Sequence, residues 1–304
     1  MRFLPRRRFL QGAAAAGLAG SLPQPVSSAD DPTQGRTLAF DEQFKTLDWS
    51  IWNAGPKATT FDAGFYGRSA FAGETGDEGF NPYLLVDDPD ATGGKALQIS
   101  ARYIGRKMNV PNYYGNDQPE FQWISGNLQT ARSDGTIMRG WRRGYFEARM
   151  LFPKHPLSWP AFWLMNSRSI TFPQTSVEVD IVEHKGWEPT TYGAYLHEWG
   201  DPGQHHEGVG ATTPFDLTSR YCRYGALITD DRCVPYFEGR PVIDPQTGED
   251  ANWTLTRSGE MDANQDAFWP LLSLALVADI PYPPLLREED KLTSMRVDYV
   301  RVYV

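Results

Sequence analysis

The chain has 304 residues, 22% charged and 13% aromatic, with 28 Gly, 23 Pro and ten Trp. That profile suits a turn-rich globular protein and excludes a disordered one. The net charge is −9 and falls to −13 if the four arginines of the first 29 residues are removed, which leaves no electrostatic footprint for nucleic acid.

Residues 1–29 read as an export signal. Arg6-Arg7-Arg8-Phe9-Leu10 resembles a twin-arginine signal, an Ala/Gly/Leu stretch follows from Gly12 to Leu22, and Ser27-Ser28-Ala29 offers small residues for cleavage. An uncleaved membrane anchor is the other reading. The apolar run is shorter than the roughly 20 residues a spanning helix needs and is broken by glycines and Pro23. The expectation is therefore an exported protein, periplasmic or extracellular, with no membrane partner. Residues 30–304 are expected to form a single domain and a monomer.

Segments of strand composition recur along that domain, at 95–102, 144–152, 161–165, 177–184, 192–197, 220–228, 268–277 and 295–304. Helical periodicity over three turns is absent from the sequence, so an antiparallel β-sandwich or barrel is predicted. The last segment alternates clearly and runs to the final residue, as a strand that closes the fold. Segments 220–228 and 232–237 read as a hairpin with Cys233 opposite residue 228. Cys222 then lies too far along to bridge, and two buried free thiols are expected.

The segment Ser176-Val-Glu-Val-Asp-Ile-Val-Glu-His184 carries the chemistry. On a strand Val177, Val179 and Ile181 share one face, and Glu178 and Asp180 the other. Strict alternation would then place Val182 among the acids and Glu183 in the core. A β-bulge after Asp180 resets the phase and returns Glu183 to the acidic face, and the doublet Ile181-Val182 is its mark in the sequence. Three carboxylates on one face repel, so one of them should hold its proton near neutrality. An ionised carboxylate beside a protonated one suits glycoside hydrolysis with retention. A solvated acidic face or a calcium site would show the same acids.

Gly144-Tyr-Phe-Glu-Ala-Arg-Met-Leu-Phe-Pro153, Trp159-Pro-Ala-Phe-Trp-Leu-Met165 and Glu178-Val-Asp-Ile-Val-Glu183, in this order and spacing, resemble glycoside hydrolase family 16. The bulged E-x-D-x-x-E form resembles its laminarinase-like branch. The resemblance implies a concanavalin A-like β-jelly roll of two curved antiparallel sheets. It also implies a retaining endo-β-glycanase acting on a β-1,3 or mixed β-1,3/1,4-glucan, or on a related bacterial exopolysaccharide. Glu178 would be the nucleophile, Glu183 the general acid and then base, and Asp180 the residue that orients and tunes them. Trp159, Trp163 and Trp187 would stack on sugar rings and His197 would meet the sugar or the acid, though core roles suit each of them too.

The resemblance implies no catalytic cofactor. It allows a structural calcium held by Asp298 and Glu42. His184, His197, His205 and His206, with Glu198 and Glu207 nearby, lack helical zinc spacing, and His205-His206 is expected in a Gly-rich loop. Departures from the family pattern are Thr175-Ser176-Val177 before the nucleophile, Ser273 where a cleft Asn is usual, Glu238 in a Tyr-x-Asp-Gly turn, and an extra loop at 106–118. They leave the sugar open. A non-catalytic carbohydrate-binding jelly roll and a transglycosylase are the alternative functions.

Overall fold

A computed structural model of the protein describes residues 31–54, 65–105, 123–132, 134–168, 176–200, 203–256, 266–277 and 286–304. The segment 1–29 and the loop 106–118 lie outside them. In chain order the strands are β1 (Leu38–Glu42), β2 (Asn53–Ala54), β3 (Phe65–Tyr66), β4 (Ser69–Phe71), β5 (Tyr83–Asp87) and β6 (Lys95–Tyr103). Next come β7 (Trp123–Ser125), β8 (Asn127–Gln129), β9 (Gly144–Leu151), β10 (Ser158–Asn166), β11 (Val177–Glu183) and β12 (Thr191–Glu198). The last are β13 (His205–Thr212), β14 (Cys222–Ile228), β15 (Arg232–Phe237), β16 (Arg240–Pro241), β17 (Trp253–Thr254), β18 (Phe268–Leu276) and β19 (Leu292–Tyr303). Each of the eight segments of strand composition falls on one of these strands, overrunning its end by one or two residues at 152, 184, 220–221, 277 and 304. A short 3₁₀ turn, Glu288–Lys291, leads into β19.

Two sheets result. The larger follows the order β16-β15-β14-β9-β19-β6-β7-β4-β3, with β1 on β19, β17 on β15 and β5 on β6. The smaller runs β13-β12-β11-β10-β18-β8-β2. The main apolar core lies between them: Leu97, Ile99, Phe146, Met150 and Val300 from the larger sheet meet Phe162, Leu164, Val179, Leu196 and Leu272 from the smaller, all buried. The predicted all-β jelly-roll sandwich is what forms. β1 pairs with β19, so the start and end of the described domain close on each other.

The hairpin of β14 and β15 falls in the predicted register, with Ile228 opposite Cys233. Cys222 faces Met150 across β9 instead, and both cysteines are buried and free. Burial pushes the Cys222 thiol up to about 11 and the Cys233 thiol up to about 12, so both stay protonated and inert. The next turn joins Phe237 to Arg240 through Glu238 and Gly239, at φ 51° and 76°. Two left-handed residues fit a tight hairpin, but glutamate enters that region at a cost. Arg223 offsets it: its N–H donates to Glu238 Oε1 at 3.1 Å and its Nη2 to the Glu238 carbonyl at 2.9 Å.

One expectation fails in the smaller sheet. His205-His206 is not in a loop but opens β13, which pairs with β12 along its whole length. Gly208 and Gly210 dilute the strand composition of this segment, and Gly208 does so for a reason. A Cβ there would come within 2.4 Å of Tyr195 Cδ1, so the glycine is what lets the Tyr195 ring lie across the sheet.

Candidate active site

β11 sits between β10 and β12 in the smaller sheet, and both partners register the bulge. On β10, Phe162 pairs with Val182 and Trp163 with Asp180, skipping Ile181. On β12, the pairs Asp180–Tyr195 and Glu183–Gly193 enclose two residues of β11 against one of β12. Val177, Val179, Ile181 and Val182 are all buried in the main core. The extra residue does what alternation required: Glu178, Asp180 and Glu183 share the face turned away from that core.

Each acid meets a neutral donor. Trp199 Nε1 donates to Glu178 Oε2 at 2.7 Å, and Trp159 Nε1 donates to Glu183 Oε1 at 2.8 Å. His197 Nε2 lies 3.3 Å from Asp180 Oδ2. Glu178 and Asp180 are buried, at 7% and 6% exposed, while Glu183 is more open. Burial first, and then the charge of Glu178, push Asp180 up to about 7, against the contact with His197. Of the three crowded acids, the middle one is thus pushed toward holding a proton near neutrality. Burial and the charges of Glu183 and Asp180 also raise Tyr195, which remains a phenol.

Cross-strand pairs place the rest of the face. Trp163 lies beside Asp180 and is 4% exposed, packed with Met165, Trp269 and Leu271 in a second apolar cluster. Its Nε1 donates to Ser273 Oγ at 3.2 Å, so the serine that departs from the family pattern anchors this indole. The ring therefore offers little surface to a ligand and forms the floor of the face. Trp159 is partly buried, with Lys185 Nζ 3.2 Å from its ring centroid. Trp187 is partly buried against the main core.

Along β12, Tyr195, His197 and the following Trp199 form a row. The Tyr195 and His197 rings stack at 5.8 Å and those of His197 and Trp199 at 5.1 Å. Sequence reading set His197 at the site, weighed His206 only as a metal ligand, and missed Tyr195 and Trp199. The signal was the two-residue spacing of three aromatic rings on a strand whose other face is core.

The two acids named for a possible structural calcium are both engaged by protein groups. Asp298 is fully buried at a bulge of β19; it accepts the Thr92 N–H at 2.8 Å and hydroxyl at 2.7 Å, and it pairs with Arg149. Glu42 accepts the Phe44 N–H at 2.7 Å and Trp52 Nε1 at 3.1 Å. Among the described residues no three His, Cys, Asp or Glu gather as a metal site.

Comparison with known proteins follows from this geometry. No family model matches the chain. It is 31% identical over 225 residues to Endo-1,3-1,4-beta-glycanase EglC of Rhizobium meliloti (strain 1021), an alignment covering 73% of this chain and 40% of that protein. The chain thus spans less than half the length of this curated relative. The endo-beta-1,3-glucanase from Pyrococcus furiosus superposes with a TM-score of 0.63 at 22% identity, over 88% of this chain and 94% of that one. A glycoside hydrolase family 16 endo-glucanase from Bacteroides ovatus gives 0.58 at 14%, over 86% and 99%. The fold is that of a glycoside hydrolase family 16 endo-glucanase and the sequence relative is an endo-1,3-1,4-beta-glycanase, so the resemblance read from the residues is borne out.

Proposed function

We propose that the protein is an exported endo-β-glycanase that cleaves internal bonds of a β-1,3 or mixed β-1,3/1,4-glucan, or of a related bacterial exopolysaccharide, with retention at the anomeric carbon. The observation that carries this reading is the bulge of β11, which sets Glu178, Asp180 and Glu183 on one face with separate donors. EglC, by its name an endo-1,3-1,4-beta-glycanase, supports the substrate class. The signal-like segment 1–29 supports export, and among the described residues no helix is long and apolar enough to cross a membrane.

Glu178 attacks the anomeric carbon while Glu183 delivers a proton to the leaving oxygen; Glu183 then takes a proton from the water that releases the glycosyl group. The Trp199 N–H favours the ionised form of Glu178, as a nucleophile needs. Asp180, neutral below about pH 7, spares Glu178 a second adjacent negative charge. A panel of laminarin, mixed-linkage β-glucan, agar and bacterial exopolysaccharides, read by product size and by NMR of the fresh anomeric centre, tests the proposal. Oligomers with the β configuration are expected. Inverted products, or monosaccharide alone, would overturn it.

A further inference from the structure

The acid row continues across β12 and β13 into two histidines. His197 Nε2 faces Asp180 Oδ2 at 3.3 Å, and His197 Nδ1 lies 2.8 Å from His206 Nδ1. Beyond it, Gln204 Nε2 meets His206 Nε2. Asp180 is buried, whereas His206 and Gln204 are exposed, so the contacts lead from the surface to the middle acid. His206 is held there edge-on, its ring centroid 4.9 Å from those of both His197 and Trp199.

Proton counting fixes the directions. Two ring nitrogens in contact need one donor and one acceptor. An amide nitrogen can only donate, so His206 Nε2 accepts from Gln204 and the His206 proton sits on Nδ1. His206 Nδ1–H then donates to His197 Nδ1, which leaves the His197 proton on Nε2, pointing at Asp180. Both imidazoles are neutral in this order and Asp180 is ionised. A proton arriving at His206 Nε2 reverses every link: His206 Nδ1–H passes to His197 Nδ1, His197 Nε2–H passes to Asp180, and Gln204 turns to present its oxygen. One proton enters at the surface and one appears on the acid.

We propose that His206 and His197 form a proton relay between solvent and Asp180, with His206 a positioning residue that fixes which His197 nitrogen faces the acid. The role given to Asp180 rests on the glycanase reading; the relay itself does not. The described groups that face it are these. Glu178 and Glu183 flank Asp180 on β11, Tyr195 faces it from β12 and the uncharged Trp163 from β10. His197 lies opposite Glu178 on β11 and His206 on β13. Of the other charges on β13, His205 is engaged with Glu198 at 3.2 Å and Glu207 at 3.0 Å.

The test compares wild type with His206→Phe, which keeps a ring but no donor, and with His206→Asn, whose amide N–H can replace Nδ1–H. Without the donor, His197 is free to carry its proton on Nδ1 and to turn a lone pair toward Asp180, which then keeps its own proton. In His206→Phe the limb of the kcat/KM profile governed by Asp180 should move up by about one pH unit, a roughly tenfold change in rate on that limb, with KM little altered. His206→Asn should restore the wild-type limb. In the same samples without substrate at pH 8, where Asp180 of the wild type is ionised, ¹⁵N NMR should find His197 as Nε2–H in wild type and His206→Asn but not in His206→Phe. An unchanged His197 tautomer in His206→Phe would overturn the proposal. Should the protein cleave no glycan at all, the tautomers alone decide the relay, and it is the glycanase reading that falls.

Discussion

The two sheets bury acids in opposite ways. In the larger sheet Asp298 is paired with Arg149 and Asp88 with Arg296 at 2.9 Å and the Tyr221 hydroxyl at 2.7 Å, while Glu147 lies 3.9 Å from Arg223 Nη1 and accepts the hydroxyls of Tyr145 and Tyr299 at 2.9 and 2.8 Å. In the smaller sheet the acids of β11 meet indole N–H groups and an imidazole. Burial pushes Asp88 up, but Tyr221, the Asp90 N–H and Arg296 together outweigh it and the carboxyl ends below its usual range. Burial pushes Asp180 the same way with a like charge added, and it ends near 7. Cationic partners turn a buried acid into a structural link. Leaving the charge on neutral donors makes it available for chemistry, at some expense in stability.

Breaking the chemical side should have the largest effect. Glu178→Gln should lower kcat by about 10⁴-fold, and Glu183→Gln by about 10²- to 10⁴-fold. Both should unfold at or above the wild-type temperature, since each removes a charge from a crowded face. A Glu178→Gln protein that still cleaves would sink the nucleophile assignment. On the structural side Arg149→Met strands Asp298, fully buried, with the Thr92 hydrogen bonds as its remaining described support. Denaturant unfolding should show a loss of about 3 kcal/mol or more, with the specific activity of the folded fraction unchanged.

The sharpest contrast lies in pH. Asp180 has a folded pKa raised above its unfolded value, so it favours the fold fully below about pH 4, and that contribution is lost as pH rises through about 7. Asp88 has a lowered folded pKa, so its contribution is present at neutral pH and lost as pH falls through the carboxylate range. Melting temperatures should therefore find Asp180→Asn more stable than wild type at pH 8, with the gap closing toward pH 5. Asp88→Asn should show the reverse, destabilised at pH 8 and converging on wild type in acid. Parallel curves for the two variants would refute the distinction drawn between the sheets.

Much of this was legible in the sequence, for physical reasons. The doublet Ile181-Val182 breaks an otherwise strict alternation, and only a bulge returns both Glu183 to the acids and Val182 to the core. The offset of Cys222 from Cys233 followed from hairpin register. What the sequence hid lies in pairings between distant segments. Thr92 and Asp298 stand 206 residues apart and Asp88 and Arg296 stand 208, so the sequence does not reveal that these acids are already committed to arginines. β13 was hidden because Gly208 serves the Tyr195 ring rather than its own strand. Trp199 lies beyond the last residue of β12, where alternation alone does not reveal which acid it reaches.

The smallest expected effect separates the two uses of a tryptophan. Trp159→Phe keeps an aromatic ring under Lys185 but deletes the N–H that reaches Glu183. Loss of that donor leaves the Glu183 carboxyl less firmly positioned, so kcat should fall about twofold with KM unchanged. If Trp159 instead serves chiefly as a platform for sugar, Phe should raise KM and leave kcat in place. The KM-against-kcat readout thus decides whether this indole positions the acid of the face or belongs to its grip on substrate.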